Sequence, residues 1–309
     1  MLSRIAESLY WIGRYCERAE STARILDVYS DALLEDRLGD EESVCKRLIG
    51  AMGVRGRSTA APTTDATFDL LARDAGYSGS IVRSLTAAWE NARGARETLS
   101  SELWESINTT HRLLDLHRGD GSPFARHQFF VWVKDRTAIV AGLTDSSLSH
   151  DDAWRFIVLG RTIERVDMTT RMLSMRVGEA WGPAGWVATL RACAGYEAYL
   201  RTYRRGVDAS RALEFLLLDR MFPRSAAHAL GAAEAVLVEL DPVSTRRTPA
   251  SEARRVIGRA CAELEFVRSD ELEASLPEHL DRLERACAEA HHEIVARYFH
   301  ASAAIRWSA

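Results

Sequence analysis

Cysteine is scarce and unpatterned in this 309-residue chain: Cys16, Cys45, Cys193, Cys261 and Cys287, an odd number with no Cys-x-x-Cys. That argues against a disulfide framework and a zinc ribbon. Lysine is nearly absent, with Lys46 and Lys134 the only two of 40 basic residues, and 44 acidic residues bring the net charge to -4. Such a balance leaves no unbalanced cationic surface of the kind a nucleic acid needs. No apolar run reaches the length of a membrane helix. Arg4, Glu7 and Arg14 interrupt the N-terminal stretch where a signal peptide requires an unbroken apolar core. The expectation is a reduced, cytoplasmic protein with neither a nucleic acid nor a membrane as partner.

Several chemical signatures are also missing. There is no Gly-x-Ser-x-Gly elbow and no Gly-x-x-x-x-Gly-Lys phosphate loop. A di-iron centre in a helical bundle needs two Glu-x-x-His units. Glu289-Ala290-His291-His292 supplies one, and no other His has a Glu three residues earlier. No metal and no cofactor is expected, and any nucleotide would belong to a partner.

What is present is a repeated motif. Gly13-Arg14-Tyr15-Cys16-Glu17-Arg18-Ala19-Glu20-Ser21-Thr22-Ala23-Arg24-Ile25-Leu26 aligns without a gap to Gly160-Arg161-Thr162-Ile163-Glu164-Arg165-Val166-Asp167-Met168-Thr169-Thr170-Arg171-Met172-Leu173. Seven of the fourteen positions are identical and an eighth is acidic in both copies. Chance would give about one match. A second echo, Leu70-Leu71…Asp74…Tyr77…Ser80 with Phe215-Leu216…Asp219…Phe222…Ser225, recurs at nearly the same offset. The Asp and Ser of each copy have the chemistry of helix caps.

Read for periodicity, the chain predicts helices throughout. The first covers 3 to 34 with Ser3 as its cap. It places Ile12, Tyr15, Cys16, Ala19, Ala23 and Leu26 on one face and Arg14, Glu17, Arg18, Ser21 and Arg24 on another. Tyr10, Trp11 and Ile25 flank the charged strip, which is unusual for a solvated face. Further helices are predicted near 41–52, from about Ser80 to Leu116 as one element, over 124–143, and from Asp151 or Asp152 to near Gly178. Others cover 250–267 and 280–299. Gly53 to Ala66, Trp181 to Gly185 and the segment with Arg246, Arg247 and Pro249 are predicted loops. Nothing alternates with strand period. The expected fold is all-α, a helical bundle of two related halves, 1–145 and 146–309, integrated as one domain. The duplicated first helices are expected to meet across a pseudo-two-fold axis.

These residues resemble a known group. Met1 to Arg14, the Glu17-Arg18 and Glu164-Arg165 pairs, Leu216-Leu217-Leu218-Asp219 with Phe222-Pro223-Arg224-Ser225, and Tyr298-Phe299-His300 are similar to the alpha-E family, helical proteins named for a Glu-Arg motif. The resemblance spans essentially the whole chain. It departs at Cys16, where an aliphatic residue is usual, and at Arg220-Met221, where more acidic residues are usual. It implies work beside, or fused to, a circularly permuted ATP-grasp ligase, often with a transglutaminase-like protein, in systems that make or trim amide bonds on peptides.

The motif residues allow three readings. Arg14 with Glu17, and Arg161 with Glu164, have the spacing of intrahelical salt bridges, each contributing about 0.2–0.5 kcal/mol when exposed. A reciprocal network would instead pair each Glu with the other half's arginines. The third reading is a ligand site. There Arg14, Arg18, Arg161 and Arg165 clamp a carboxylate or phosphate, and Glu17 or Glu164 acts as acid or base. Tyr196, Tyr199 and Tyr203, spaced along one helical face with Arg204 beside them, are either core or a binding stripe. Arg224, beside a helix N-terminus, is a candidate anion ligand.

Overall fold

The computed structural model describes residues 1–34, 40–54, 62–119, 122–178, 182–242 and 251–299. The Arg246–Pro249 loop and His300 lie outside the described residues. Among those described there are fourteen α-helices and no strand, so the all-α expectation holds. In order they are α1 (Ser3–Leu34), α2 (Glu41–Ala51), α3 (Thr64–Phe68), α4 (Ile81–Gly94), α5 (Ser101–His117), α6 (Pro123–Ser147) and α7 (Asp152–Ser174). They continue as α8 (Gly182–Ala192), α9 (Tyr196–Tyr203), α10 (Ala209–Leu218), α11 (Ala226–Leu240), α12 (Glu252–Phe266), α13 (Ser269–Ala274) and α14 (Leu276–Ile294). None of them is long and apolar enough to cross a membrane.

Local chemistry accounts for most boundaries. Ser80 and Ser225 accept from the amides of Arg83 and His228, starting α4 and α11, and Ser225 Oγ also donates to the Asp219 carbonyl. Asp74 and Asp219 turn the chain just before them by accepting from Gly76 and from Met221 and Phe222. The single helix predicted from Ser80 to Leu116 is in fact two. Ser100 caps α5 by accepting from the Leu103 amide at 3.1 Å, after a short 3-10 turn over Arg96–Thr98. A serine followed by helix-forming residues starts a helix even without a Gly-Pro break. Gly182–Ala192 is a helix, not wholly loop, because Pro183 sits in its first turn, where its missing N–H costs nothing. Ser3 is the first helical residue rather than a cap.

Two four-helix groups share a seam. In one, α1 packs on α4 and α6, α4 on α5, and α5 on α6. In the other, α7 packs on α11 and α14, α11 on α12, and α12 on α14. The seam is α1 against α7, the most extensive helix–helix contact in the molecule. Enclosed by α4, α6, α7 and α8, α1 is buried on nearly every side between Leu9 and Tyr29. A helix buried all round is normally apolar. This one carries charge inward, so that charge must be satisfied there.

Candidate functional site

The seam is set by the first residue of each motif. A Cβ built on Gly13 would lie 2.0 Å from the Ile157 carbonyl oxygen, and one built on Gly160 would lie 2.0 Å from the Tyr10 carbonyl oxygen. Each glycine therefore rests directly on the other helix's backbone, an approach that only an absent side chain permits. Close contact brings the Glu-Arg pairs one turn later within reach of one another.

They pair reciprocally. Glu164, fully buried, accepts from Arg14 Nε at 2.6 Å and from Arg18 Nε and Nη2 at 2.5 and 3.1 Å. Glu17, 2% exposed, accepts from Arg165 Nη2 at 2.6 Å. Arg224, carried in by the turn between α10 and α11, donates to Glu17 Oε1 at 2.6 Å and to Glu20 Oε1 at 2.5 Å. Arg24 braces Glu20 at 2.9 Å and Arg171 braces Asp167 at 2.8 Å, the same i,i+4 pair in each motif. The intrahelical Arg-to-Glu bridges allowed by the spacing are not made. Both glutamates point across the seam instead.

The exchange is not symmetric. Arg161, which by position corresponds to Arg14, turns outward to Asp145 at 3.2 Å, and Arg224 takes the second place at Glu17. Arg224 is thus a partner of two internal carboxylates. The tyrosine stripe lies elsewhere. Tyr199 OH donates to the Gly206 carbonyl and accepts from the Asp208 amide, and Tyr199 and Tyr203 pack around Phe215. Tyr196 lies beneath Arg191, and Arg204 ends α9 in a left-handed conformation at φ 51°. Among the described residues no hydrogen bond, ion pair or ring contact joins these four to Glu17 or Glu164.

Electrostatics follow from this geometry. Burial alone would push both carboxyls up. Arg165 and Arg224 outweigh it at Glu17, and Arg18 and Arg14 at Glu164, so each is pulled down to about 2. Burial disfavours charge on Arg14 and Arg224 as well, yet their glutamate partners hold both firmly protonated. A carboxyl depressed in the folded state stabilises the fold above its unfolded value, near 4.3, and that contribution is lost as pH falls toward 2. Acid titration followed by circular dichroism should therefore show stability falling between about pH 5 and pH 2. Glu17→Gln/Glu164→Gln protein should show a visibly shallower fall. No group of three or more His, Cys, Asp or Glu that could hold a metal occurs among the described residues.

Sequence spacing missed several members of this site. Asp145 is an ordinary acid in one dimension, and Glu20 stood out as the acidic position shared by both motifs without being given a role. Tyr10, Trp11 and His291 surround Arg14: Tyr10 OH lies 3.1 Å from His291 Nδ1, and the Arg14 guanidinium lies 5.5 Å from the Trp11 ring centroid. The flanking of the charged strip by Tyr10 and Trp11 was the available signal for two of them.

The fold and site define a class: an all-α protein whose two central helices exchange buried Glu-Arg pairs. More particularly, the chain belongs to the Alpha-E family, described as a predicted alpha-helical domain with a conserved ER motif, whose model matches residues 1–299. The chain is also similar, at 28% identity over 307 residues, to "Uncharacterized protein Mb2597" of Mycobacterium bovis and "Uncharacterized protein Rv2567" of Mycobacterium tuberculosis. Those matches cover 90% of this chain and 35% of each relative, so it spans about a third of the length of the curated relatives it matches. No solved structure matches.

Proposed function

We propose that this chain is a non-catalytic helical module of an amide-bond-forming or peptide-modifying system, cytoplasmic, built from two related halves and working with a circularly permuted ATP-grasp ligase. It binds that ligase or an acidic, peptide-like chain; a transglutaminase-like protein is a further partner of the same system. The observation that carries the non-catalytic part is the state of the two glutamates. Each is sealed from solvent, takes guanidinium donors across the seam and is held ionised. A general acid needs an available proton near neutral pH, and a general base needs a lone pair facing substrate. Neither condition is met, so we assign Glu17 and Glu164 a structural role. The ligase partnership rests on family resemblance, and the relatives' extra length is consistent with a module that operates beside another protein.

The test is co-expression with a circularly permuted ATP-grasp ligase, followed by size-exclusion chromatography and a turnover assay. A stable complex, with no amide made or cleaved by the isolated chain, supports the reading. Turnover by the isolated chain that disappears in Glu164→Gln would contradict it.

A further inference from the structure

The two glutamate centres are chemically unequal. Around Glu17 the guanidinium ends are engaged: Arg165 uses Nη2 on Glu17 and Nη1 on the Pro223 carbonyl, and Arg224 uses both terminal nitrogens on Glu17 and Glu20. Around Glu164 they are not. Arg14 Nη2 and Arg18 Nη1 have no hydrogen-bond partner among the described residues, and neither atom is sealed inside the protein. The positions of the second motif that correspond to Tyr10, Trp11 and Tyr15 are Ile157, Val158 and Thr162. The motif positions themselves therefore give the Glu164 centre an aromatic border and give the Glu17 centre none.

His291, from α14, completes this face. Its ring lies parallel to Tyr10 at 5.6 Å, with an interplanar angle of 8°, and meets Trp11 edge-on at 5.3 Å. Hydrogen-bond accounting fixes its tautomer. Arg14 can only donate, so the Tyr10 oxygen accepts from Arg14 Nη1; Tyr10 is fully buried, and the acceptor its hydroxyl proton has among the described residues is His291 Nδ1, to which it donates. The remaining ring proton is then on Nε2, which has no partner and is open to solvent. Burial, with the positive charges of Arg14 and Arg18, holds the ring neutral, down to about 4. All three donors belong to side chains that border the same aromatic pair: Arg14 lies over Trp11, Arg18 over Tyr15 and His291 against the edge of Trp11, and the two rings stack at 5.1 Å.

The charge sets the ligand. Two guanidiniums against Glu164 leave a net positive charge between them, His291 adds none, and a further acid of α14, Glu284, flanks the Asp167–Arg171 pair, where burial pushes its carboxyl up. That balance suits a monoanion rather than a doubly charged phosphate. The half-buried Trp11 and Tyr15 suit an apolar group attached to it. We propose that Arg14 Nη2, Arg18 Nη1 and His291 Nε2 form a binding site for a carboxylate carried on an apolar group, bordered by Trp11 and Tyr15. This locates the acidic ligand considered above and rests on that part of the reading; its failure would leave the ligase partnership untouched.

The test uses the full chain with ¹⁵N-labelled histidine, His291 being assigned by its loss in His291→Phe, which keeps a ring on Tyr10. At about pH 8.5, where inorganic phosphate is almost wholly doubly charged, benzoate, acetate and phosphate are titrated while the His291 ring nitrogens and the Trp11 indole are followed. His291 should be the neutral Nε2–H tautomer, and benzoate should shift both groups saturably. Acetate should bind at least about five-fold more weakly and phosphate more weakly still, because charge and apolar contact are both matched only by benzoate. His291→Phe, melting within a few degrees of wild type, should cut benzoate affinity about ten-fold, the order of one hydrogen bond to a charged ligand. Arg18→Gln should cut it further, and if that variant fails to fold His291→Phe decides. A protonated or Nδ1–H ring, no saturable shift, an unchanged curve in His291→Phe, or tighter phosphate binding would each overturn the proposal.

Discussion

Gly160→Ala should lower the melting temperature by roughly 5–10 °C, although alanine is the better helix former by about 1 kcal/mol. The new Cβ would stand 2.0 Å from the Tyr10 carbonyl oxygen and 3.1 Å from the Arg14 amide nitrogen. Overpacking a core usually costs about 1–3 kcal/mol because side chains can rotate away. Here the obstacle is backbone, so the two helices must part, and their separation stretches each Glu-Arg contact one turn further on. We expect a net loss of about 3 kcal/mol or more, at or above the top of that range. Gly13→Ala meets the Ile157 carbonyl in the same way and should behave alike. Because one widened gap relieves both clashes, the double variant should be less destabilised than the sum. Calorimetry or circular dichroism melts suffice, and an unchanged or raised midpoint would mean that the seam is not packed as described.

Glu164→Gln should be equally damaging for a different reason. It leaves Arg14 and Arg18 facing a neutral amide with their shared counter-ion gone. Removing one partner of a buried ion pair costs about 3–5 kcal/mol, since two largely buried guanidiniums are left to repel each other without their counter-ion. Glu17→Gln should follow it, stranding Arg165 and Arg224. Arg161→Gln is the internal contrast. Its partner Asp145 has about half of its side chain exposed, so the loss should be at most about 1 kcal/mol. The motif's two copies would then differ in energetic weight at the very position where their sequences agree.

The helical class was legible because nothing in the chain has strand period and because Ser, Asp and Pro sit where helices begin. The meeting of α1 and α7 was legible in another way: two copies of one surface are self-complementary, and the repeated Gly-Arg-x-x-Glu-Arg marks that surface. Reciprocal pairing of each glutamate with the other copy's arginines stood among the readings that spacing allowed, but spacing could not choose it over intrahelical bridges. That choice depends on how closely the helices approach, which the two glycines set in three dimensions. Arg161 departs from the pattern because Asp145, at the end of α6, competes for it, and Arg224 replaces it from a turn distant in sequence. His291 was invisible as a neighbour of Arg14, since the contact joins Tyr10 to a residue 281 positions away. The split between α4 and α5 was there to be read in Gly94, which ends α4, and in Ser100, which caps α5, but the apolar periodicity carried across both.

The account stands on one claim, that the Glu-Arg motifs act across the seam and not along their own helices. A pair of double-mutant cycles tests it directly by thermal unfolding. One cycle combines Arg18→Gln with Glu164→Gln, residues joined between helices at 2.5 Å; the other combines Arg14→Gln with Glu17→Gln, neighbours on one helix. The account predicts a coupling of roughly 2–3 kcal/mol in the first and near zero in the second, within the range for residues sharing or lacking a contact. A coupling near zero for Arg18 and Glu164, with a substantial one for Arg14 and Glu17, would contradict it.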